Sequence, residues 1–231
     1  MRVWHELARG DKHGPLPVLL LVLTMATGVV DAVSVLGLGR VFVANMTGNV
    51  VFVGFALAGV PDFSLVASVI ALLGFLLGAF LGGRLAGLHT HRGRLLRNVA
   101  LIELGLVAVA LLLSLLSVAT VVQAALLAVA MGMQNATARR LAVPDLTTTV
   151  LTSTLSGFAS EIRRQGRVAA ARRGLAVFAM FVGAVVGATL VLHARPVWAL
   201  AVAAVLIGLV AAVSAVRSQG EAPWQAVTSS S

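Results

Sequence analysis

The sequence contains no cysteine, and only 11% of its 231 residues are charged. Without cysteine, disulfides, thiolate metal sites and cysteine nucleophiles are excluded. Soluble domains of this size carry charge on about a quarter of their residues. The shortage of charge therefore excludes a soluble enzyme or a soluble DNA-binding module.

Apolar residues make up 59% of the chain, and the mean hydropathy is +1.02. This is more apolar surface than one soluble core can bury, so the excess must face the lipid bilayer. The net charge of +9 does not indicate a nucleic-acid partner, because the basic residues lie in short clusters between apolar runs, where they act as topology signals. The sequence predicts a membrane protein.

The apolar runs form a single membrane domain, 1–231, with polar tails at 1–15 and 218–231. The runs are 16–38, 41–60, 64–83, 98–138, 174–192 and 197–216, with a Thr/Ser-rich segment at 145–160. The first run is too long for a signal-peptide core, so we interpret it as a retained helix. The run at 98–138 would extend about 60 Å as one helix, twice the hydrocarbon thickness, which predicts two helices with a turn near 114–120.

The positions of lysine and arginine decide how many runs cross the membrane, because both residues concentrate in cytoplasmic loops. If 41–60 and 145–160 each return to the side they entered, only Arg40 and Arg195 of the 17 basic residues lie outside. If both segments cross, the split is nine to eight, and if only the first crosses it is thirteen to four. We therefore predict an all-α polytopic bundle of six spanning helices plus two re-entrant or broken segments, with both termini cytoplasmic. Seven spanning helices is the alternative.

Three short blocks recur in the same order along the chain. The block 28–32 (GVVDA) is echoed by 132–136 (GMQNA) at an offset of 104, and 78–82 (GAFLG) by 183–187 (GAVVG) at an offset of 105. The block NMTGNVV, which starts at Asn45, resembles DLTTTVL, which starts 100 residues later. We interpret this as an internal repeat with halves at about 16–117 and 118–217. In the six-span topology the halves are inverted, as in many transporters whose sites lie at discontinuous helices near the midplane.

A polar segment in the first half precedes a helix that would begin inside the membrane. Asn45, Thr47 and Asn49 are candidate N-caps, and Gly48 allows close approach of the backbone. Lipid cannot satisfy the first amide donors of such a helix, so the segment must be buried in protein or line a wet cavity. Its free N–H groups would favour an anion or a carbonyl oxygen. The alternative is that these side chains only cap the helix and bond neighbouring helices.

The second half repeats this logic from the other side of the membrane. Pro144 stops the preceding run, Asp145 can cap the next helix, and Thr147 and Thr148 follow. The alternative is that these hydroxyls bond a backbone carbonyl one turn back, as is common in membrane helices.

Asp31 is the ionisable residue furthest from either end of an apolar run. A lone carboxylate in hydrocarbon costs about 3 kcal/mol or more unless it is protonated or paired. We therefore predict that Asp31 carries a proton or a cation. The alternative is a structural partner, which Gln134, Asn135 or the amides near Asn49 would supply.

Glu103 lies six residues beyond Arg97. That distance places it near the cytoplasmic interface, where we expect an ion pair with Arg84. The sequence predicts a structural role for Glu103.

Glycines recur every fourth residue in two runs, at Gly74, Gly78 and Gly82 and at Gly183 and Gly187. Such a stripe lets helices pack closely. It serves packing within one chain or between chains equally, so a homo-oligomer stays open.

The sequence has no HExxH, no GxSxG, no phosphate-binding glycine loop and no catalytic carboxylate pair. We expect no enzymatic activity and no cofactor. His89 and His91 have no carboxylate beside them, so we expect no metal site.

The stretches 27–32 (TGVVDA) and 39–49 (GRVFVANMTGN), with Gln134, Asn135 and Asp145 in the second half, resemble the YoaK family of small bacterial membrane proteins, domain of unknown function 1275. The resemblance implies a multi-pass protein of the bacterial inner membrane. It implies no substrate and no catalytic residues.

Two classes of function fit these patterns. The first is a transporter or channel for a small solute or a proton, with its interior lined by seven polar residues. They are Asp31, Asn45, Thr47, Asn49, Asn135, Asp145 and Thr147. The alternative is a non-transporting scaffold or a lipid- or partner-binding membrane protein, and an enzyme acting on a lipid-borne substrate is a third, weaker candidate.

Overall fold

The structure, a computed structural model, describes residues 13–143, 146, 166–219 and 222–225, with the backbone alone at 166–170 and 223. Within this part of the chain every regular element is helical. The elements are α1 (Leu16–Gly37), α2 (Met46–Leu57), α3 (Leu65–Leu88), α4 (Arg92–Leu115), α5 (Thr120–Leu141), α6 (Gly166–His193), α7 (Pro196–Arg217) and a 3-10 turn (Pro223–Gln225).

Six of the described helices, all except α2, are long and apolar enough to cross a membrane. The 12 residues of α2 extend only about 18 Å, well short of the hydrocarbon thickness. The prediction of an all-helical membrane bundle is therefore confirmed, with six candidate spans in the described part of the chain and α2 too short to be a seventh. The second re-entrant segment, at 145–160, lies outside the described residues apart from Leu146.

The helix boundaries have local causes. The predicted turn at 114–120 lies between Leu115 and Thr120, where Ser117 adopts a left-handed conformation with φ 54°. At the start of α4, the His91 Nδ1 atom accepts a hydrogen bond of 3.2 Å from the Arg94 N–H. Because of this cap, α4 begins at Arg92, six residues before the apolar run.

Helices α3 and α5 cross at very close range. A Cβ added at Gly78 would overlap the carbonyl oxygen of Val129, and one added at Gly132 would overlap that of Phe75. A Cβ at Gly82 would lie 2.9 Å from the Met133 main chain. Only glycine permits this separation of the two backbones, because any side chain would collide with a main chain that cannot move aside.

Helices α1 and α6 cross in the same way. A Cβ at Gly28 would overlap the carbonyl oxygen of Met180, and one at Gly183 would overlap that of Met25. Gly187 lies against Val29. Each contacting residue of this crossing is 104 or 105 positions away in the sequence from the corresponding residue of the α3–α5 crossing. The sequence blocks 28–32 and 132–136, and 78–82 and 183–187, have the same offsets.

Helices α1 and α5 form the centre of the bundle. Two thirds of each is buried, compared with 28% of α3 and 17% of the apolar part of α6. Helix α4 packs on α5 and α7, and α7 also packs on α1. Polar side chains on α1 and α5 are therefore enclosed by protein instead of lipid.

We call the end of the bundle at Leu16, Leu88, Arg92, Leu141 and Arg217 the basic end. There the buried Arg92 guanidinium donates hydrogen bonds to the carbonyl oxygens of Leu141 and Trp224. Its third neighbour is the His13 ring, 3.4 Å away. Arg92 thus ties the ends of α1, α4 and α5 to the C-terminal 3-10 turn.

Candidate functional site

The chain turns back into the bundle after α1. It reverses at Gly39 and Arg40, whose φ angles are 95° and 55°. The extended segment that follows buries Val41 and Val43 completely. The Asp31 carboxylate binds the main chain of this segment. Its Oδ1 atom accepts hydrogen bonds from the N–H groups of Val43 at 3.2 Å and Ala44 at 3.0 Å.

Asn49 holds the same segment from the other side. Its Oδ1 atom accepts from the Phe42 N–H at 2.9 Å, and its Nδ2 group donates to the Phe42 carbonyl oxygen at 2.6 Å. The Asn49 side chain is fully buried. One amide thus satisfies both main-chain groups of a residue that has no helix or strand to pair with.

Helix α2 begins at this anchored segment and runs toward the end of the bundle opposite the basic end. Asp31 lies six residues, or about 9 Å, before the end of α1, so α2 starts below that surface. Aromatic rings at Phe42, Phe52, Phe55 and Phe63 stack along α2 and its following loop. These contacts fit the re-entrant course predicted for 41–60.

Two of the predicted site residues, Asn45 and Thr47, do not face the interior of the bundle. Asn45 is at the N-cap position of α2 but makes no side-chain capping bond, and both Asn45 and Thr47 are exposed on the surface of the chain. The capping prediction for Asn45 is wrong, because the loop is held by Asp31 and Asn49 instead. Gly48 lies against the Phe42 ring, where a Cβ would collide.

Asp31 belongs to a line of buried polar residues on one face of α1. Thr24, Thr27, Asp31 and Ser34 recur every three or four residues, the spacing of one helical face, and all are buried. We call them the α1 polar stripe. The hydroxyls of Thr24 and Thr27 donate to carbonyl oxygens one turn back.

The α1 polar stripe meets α5 through Gln134. The Gln134 Nε2 group donates to the Thr27 Oγ1 atom at 2.8 Å, joining residues 107 apart in the sequence. Its other side-chain atom, Oε1, is buried and has no hydrogen-bond partner. The amides of Gln134 and Asn135 were candidate partners for Asp31, but the carboxylate bonds main-chain N–H groups.

Beside Gln134 lies a small gap that we call the Glu103 cavity. It is lined by the side chains of Glu103, Gln134 and Thr137 together with apolar residues of α1, α4 and α5. The empty space is about 190 Å³, spread between side chains. Both Glu103 carboxylate oxygens and the Thr137 hydroxyl are buried there without a hydrogen-bond partner.

The expected ion pair between Glu103 and Arg84 is wrong. Arg84 is exposed and lies over the Phe80 ring, 5.6 Å from its centroid. Since α4 begins at Arg92, Glu103 lies about 17 Å along the helix, near its middle, and not at the interface. The sequence signal that could have found it is an ionisable residue within an apolar run.

The other predicted residues divide into two groups. Asn135 is buried on α5, one residue after Gln134, and has a bonding partner. Asp145, Thr147 and Thr148 lie outside the described residues. The structure thus joins Asp31, Asn49 and Gln134 through α1 and the returning segment, and leaves Asn45 and Thr47 on the surface.

A separate, apolar groove lies away from these residues. It has a volume of about 330 Å³ and is formed by α6 and α7 beside Trp198 and Leu190. No polar side chain lines it, so it is a lipid-facing surface. In the described part of the chain no three His, Asp or Glu side chains come close enough to hold a metal ion.

Comparison with known proteins agrees with this architecture. Residues 19–213 match the family described as "Protein of unknown function (DUF1275)". The chain belongs to this family. The resemblance inferred from the TGVVDA and VANMTGN stretches is confirmed.

One curated relative is the UPF0700 transmembrane protein YoaK of Bacillus subtilis (strain 168). It is 31% identical to this chain over 148 residues, which cover 62% of this chain and 66% of the relative. The chain therefore matches slightly less than two thirds of that protein's length. No solved structure matches the chain.

Proposed function

We propose that this DUF1275 protein is a transporter or channel for a small polar solute, with its pathway between α1, α4 and α5. The observation that carries the proposal is a buried line of polar side chains through the bundle. The line runs from Asp31 through Thr27 and Gln134 to Glu103 and Thr137. It begins about 9 Å from the end of α1 and ends about 6 Å from the end of α5.

A line of buried polar side chains is costly in a membrane bundle, so its presence calls for a functional explanation. Polar groups buried without a hydrogen bond cost free energy, and membrane helices keep them where a substrate or ion passes. The four partnerless oxygens of Glu103, Gln134 and Thr137 belong to this class. Their cost is offset if a passing solute supplies the missing hydrogen bonds.

The returning segment before α2 is the natural gate. Its main chain is held by the Asp31 and Asn49 side chains rather than by a helix or sheet. Loss of these few bonds would release the segment without unfolding a spanning helix. Main-chain groups outside regular structure are tolerated at this depth where they line a cavity, as in transporters.

We infer that the two halves form an inverted repeat. The inference is supported by the glycine crossings α1–α6 and α3–α5. Each contacting residue in one crossing lies 104 or 105 positions from the corresponding residue in the other. We also propose a bacterial inner-membrane location with both termini cytoplasmic, because the basic end would then face the cytoplasm. A non-enzymatic role is part of the same proposal.

A non-transporting scaffold is the second candidate. It is favoured by the hydroxyls of Thr24, Thr27 and Ser34, which bond main-chain oxygens of their own helix. In that case the polar residues serve only to lock α1 to its neighbours, and no solute would cross.

Purified protein in liposomes distinguishes the two candidates. Stopped-flow light scattering would measure the entry of urea and of glycerol against empty liposomes. We expect faster entry of at least one solute, and we expect Gln134→Leu to slow it about tenfold, the effect of a barrier raised by ~1.4 kcal/mol. Thr189→Val, which removes an exposed polar group on α6 away from the polar line, is the matched control and should keep the wild-type rate.

Two results would overturn the transporter proposal. One is entry of both probes at the rate of empty liposomes. The other is a Gln134→Leu variant that retains the wild-type rate, since the polar line would then not be the pathway.

A further inference from the structure

We propose that Glu103 is the proton-binding site of this bundle, holding a proton in the closed conformation and exchanging it when the pathway opens. The coupling of this proton to solute movement rests on the function proposed above. Binding of the proton does not, because it follows from the surroundings of the carboxyl group alone.

No positive charge faces Glu103 in the described part of the chain. On α5 the cavity is lined by Gln134 and Thr137, and on α1 by Leu20 and Leu23. The charged groups on the neighbouring elements all lie elsewhere. They are Asp31 on α1, Arg84 on α3, Arg92, Arg94 and Arg97 on α4, Arg139 and Arg140 on α5, and Arg217 on α7.

Arg97, the nearest of these along the same helix, is engaged elsewhere. Its guanidinium donates to the Asn98 side chain at 2.9 and 3.0 Å. A Glu103 carboxylate would therefore be an uncompensated charge in the middle of the bundle. Such a charge costs far more than a neutral carboxylic acid in the same place.

The hydrogen-bond inventory of the cavity also calls for a donor. Ionised Glu103 offers two acceptor oxygens, and the Gln134 Oε1 atom offers a third. The lining side chains have two donors left for these three acceptors, the Thr137 hydroxyl and the second N–H of the Gln134 amide. A proton on Glu103 converts one of its acceptors into a donor, which the remaining oxygens can accept.

Water cannot take the place of that proton in this conformation. The Glu103 cavity has no space large enough for a water molecule. A hard cation such as Mg²⁺ or Ca²⁺ needs about six oxygen ligands. The lining supplies four oxygen atoms among six apolar side chains.

Asp31, the carboxylate that the sequence favoured as proton carrier, is also buried but differs from Glu103 in its hydrogen bonds. It accepts two main-chain N–H bonds. Hydrogen bonds of this kind favour the charged form of a carboxylate. The structure therefore assigns a structural role to Asp31 and the proton to Glu103.

Infrared spectroscopy of the protein in liposomes at neutral pH tests the assignment. A protonated carboxylic acid has a C=O stretching band that is separate from the carboxylate bands and that shifts in D₂O. We expect this band in the wild type, its loss in Glu103→Gln, and its persistence at a shifted frequency in Glu103→Asp. Asp31→Asn and Asp62→Asn remove the other described carboxyl groups and should leave the band unchanged.

Absence of the band from the wild type would overturn the proposal, and so would its loss in Asp31→Asn with retention in Glu103→Gln. If Glu103→Gln does not fold, the shift of the band frequency in Glu103→Asp tests the assignment instead. For coupling, we expect a pH gradient to change solute entry in the wild type and not in Glu103→Gln. Wild-type liposomes that show the band but no solute entry would refute the transport function while leaving the proton site intact.

Discussion

The Asp31 carboxylate and the main-chain N–H of Ala44 lie 3.0 Å apart, although 13 residues separate them in the sequence. This bond and its neighbour at Val43 fix the returning segment against α1, six residues before the helix ends. The polar residue in the first span thus determines where the short helix α2 begins.

Removal of the Asp31 carboxylate should destabilise the protein. Asp31→Ala leaves two buried main-chain N–H groups without a partner, and we expect a loss of about 2–4 kcal/mol. Asp31→Asn keeps an acceptor oxygen and should cost only about 1 kcal/mol. Thermal unfolding in detergent, followed by circular dichroism, should give the highest unfolding temperature for the wild type, a lower one for Asp31→Asn and the lowest for Asp31→Ala. Equal stability of the Ala and Asn variants would show that the two N–H bonds do not hold the segment.

Loss of the Asn49 clamp should expose the returning segment. The absence of cysteine allows a single reporter at Val43→Cys, a position that is fully buried. We expect slow labelling by a maleimide in this background and labelling at least about tenfold faster when Asn49→Ala is added, since an opening that is ~1.4 kcal/mol easier is tenfold more populated. A reporter at Val60→Cys, which is already exposed, should label equally fast in both backgrounds. Unchanged protection at position 43 would contradict the clamp.

The glycine crossings predict a sharp difference between neighbouring glycines of α3. Gly78→Ala forces a Cβ into the Val129 carbonyl and should cost about 1–3 kcal/mol or more by overpacking. Gly83→Ala meets nothing within 4 Å and should be neutral or stabilising by up to about 1 kcal/mol, because alanine favours helix. Thermal unfolding in detergent measures both.

The second crossing supplies an independent repetition of this experiment. Gly183→Ala should destabilise as Gly78→Ala does, and Gly174→Ala, with open space around it, should resemble Gly83→Ala. If Gly183→Ala is as stable as Gly174→Ala, the two crossings are not equivalent.

The orientation of the bundle predicts which surface a membrane-impermeant reagent can reach. Leu88→Cys lies at the basic end, and Leu116→Cys lies at the opposite end; both side chains are more than 70% exposed. We expect labelling of Leu116→Cys from outside intact cells and labelling of Leu88→Cys only after lysis. The reverse pattern would place the termini outside.

The sequence predicted more of the fold than of the candidate site. The six spans followed from the lengths of the apolar runs and the side preference of arginine, and these signals are local. The sequence also indicated Asp31 and Asn49 as buried polar residues, but it could not pair them with the main chain of 42–44. The returning segment has no periodic pattern from which its position beside α1 could be read.

Glu103 shows why the remainder needed the structure. Its distance from Arg97 indicated an interfacial residue, yet the cap at His91 moves the start of α4 back to Arg92 and carries Glu103 to the middle of the span. Its contacts with Gln134 and Thr137 in one cavity then depend on how α4 lies against α5.

The lengths of the apolar runs and the positions of arginine determined the prediction of a six-span membrane bundle, because in lipid every long apolar segment must satisfy its backbone as a helix. Only the tertiary structure decided which polar residues are partnered and which are not. Hydrogen bonds between residues 7 to 107 positions apart depend on the separation and rotation of whole helices. The close glycine crossings set that separation, and the glycine spacing in the sequence does not show which helices pair.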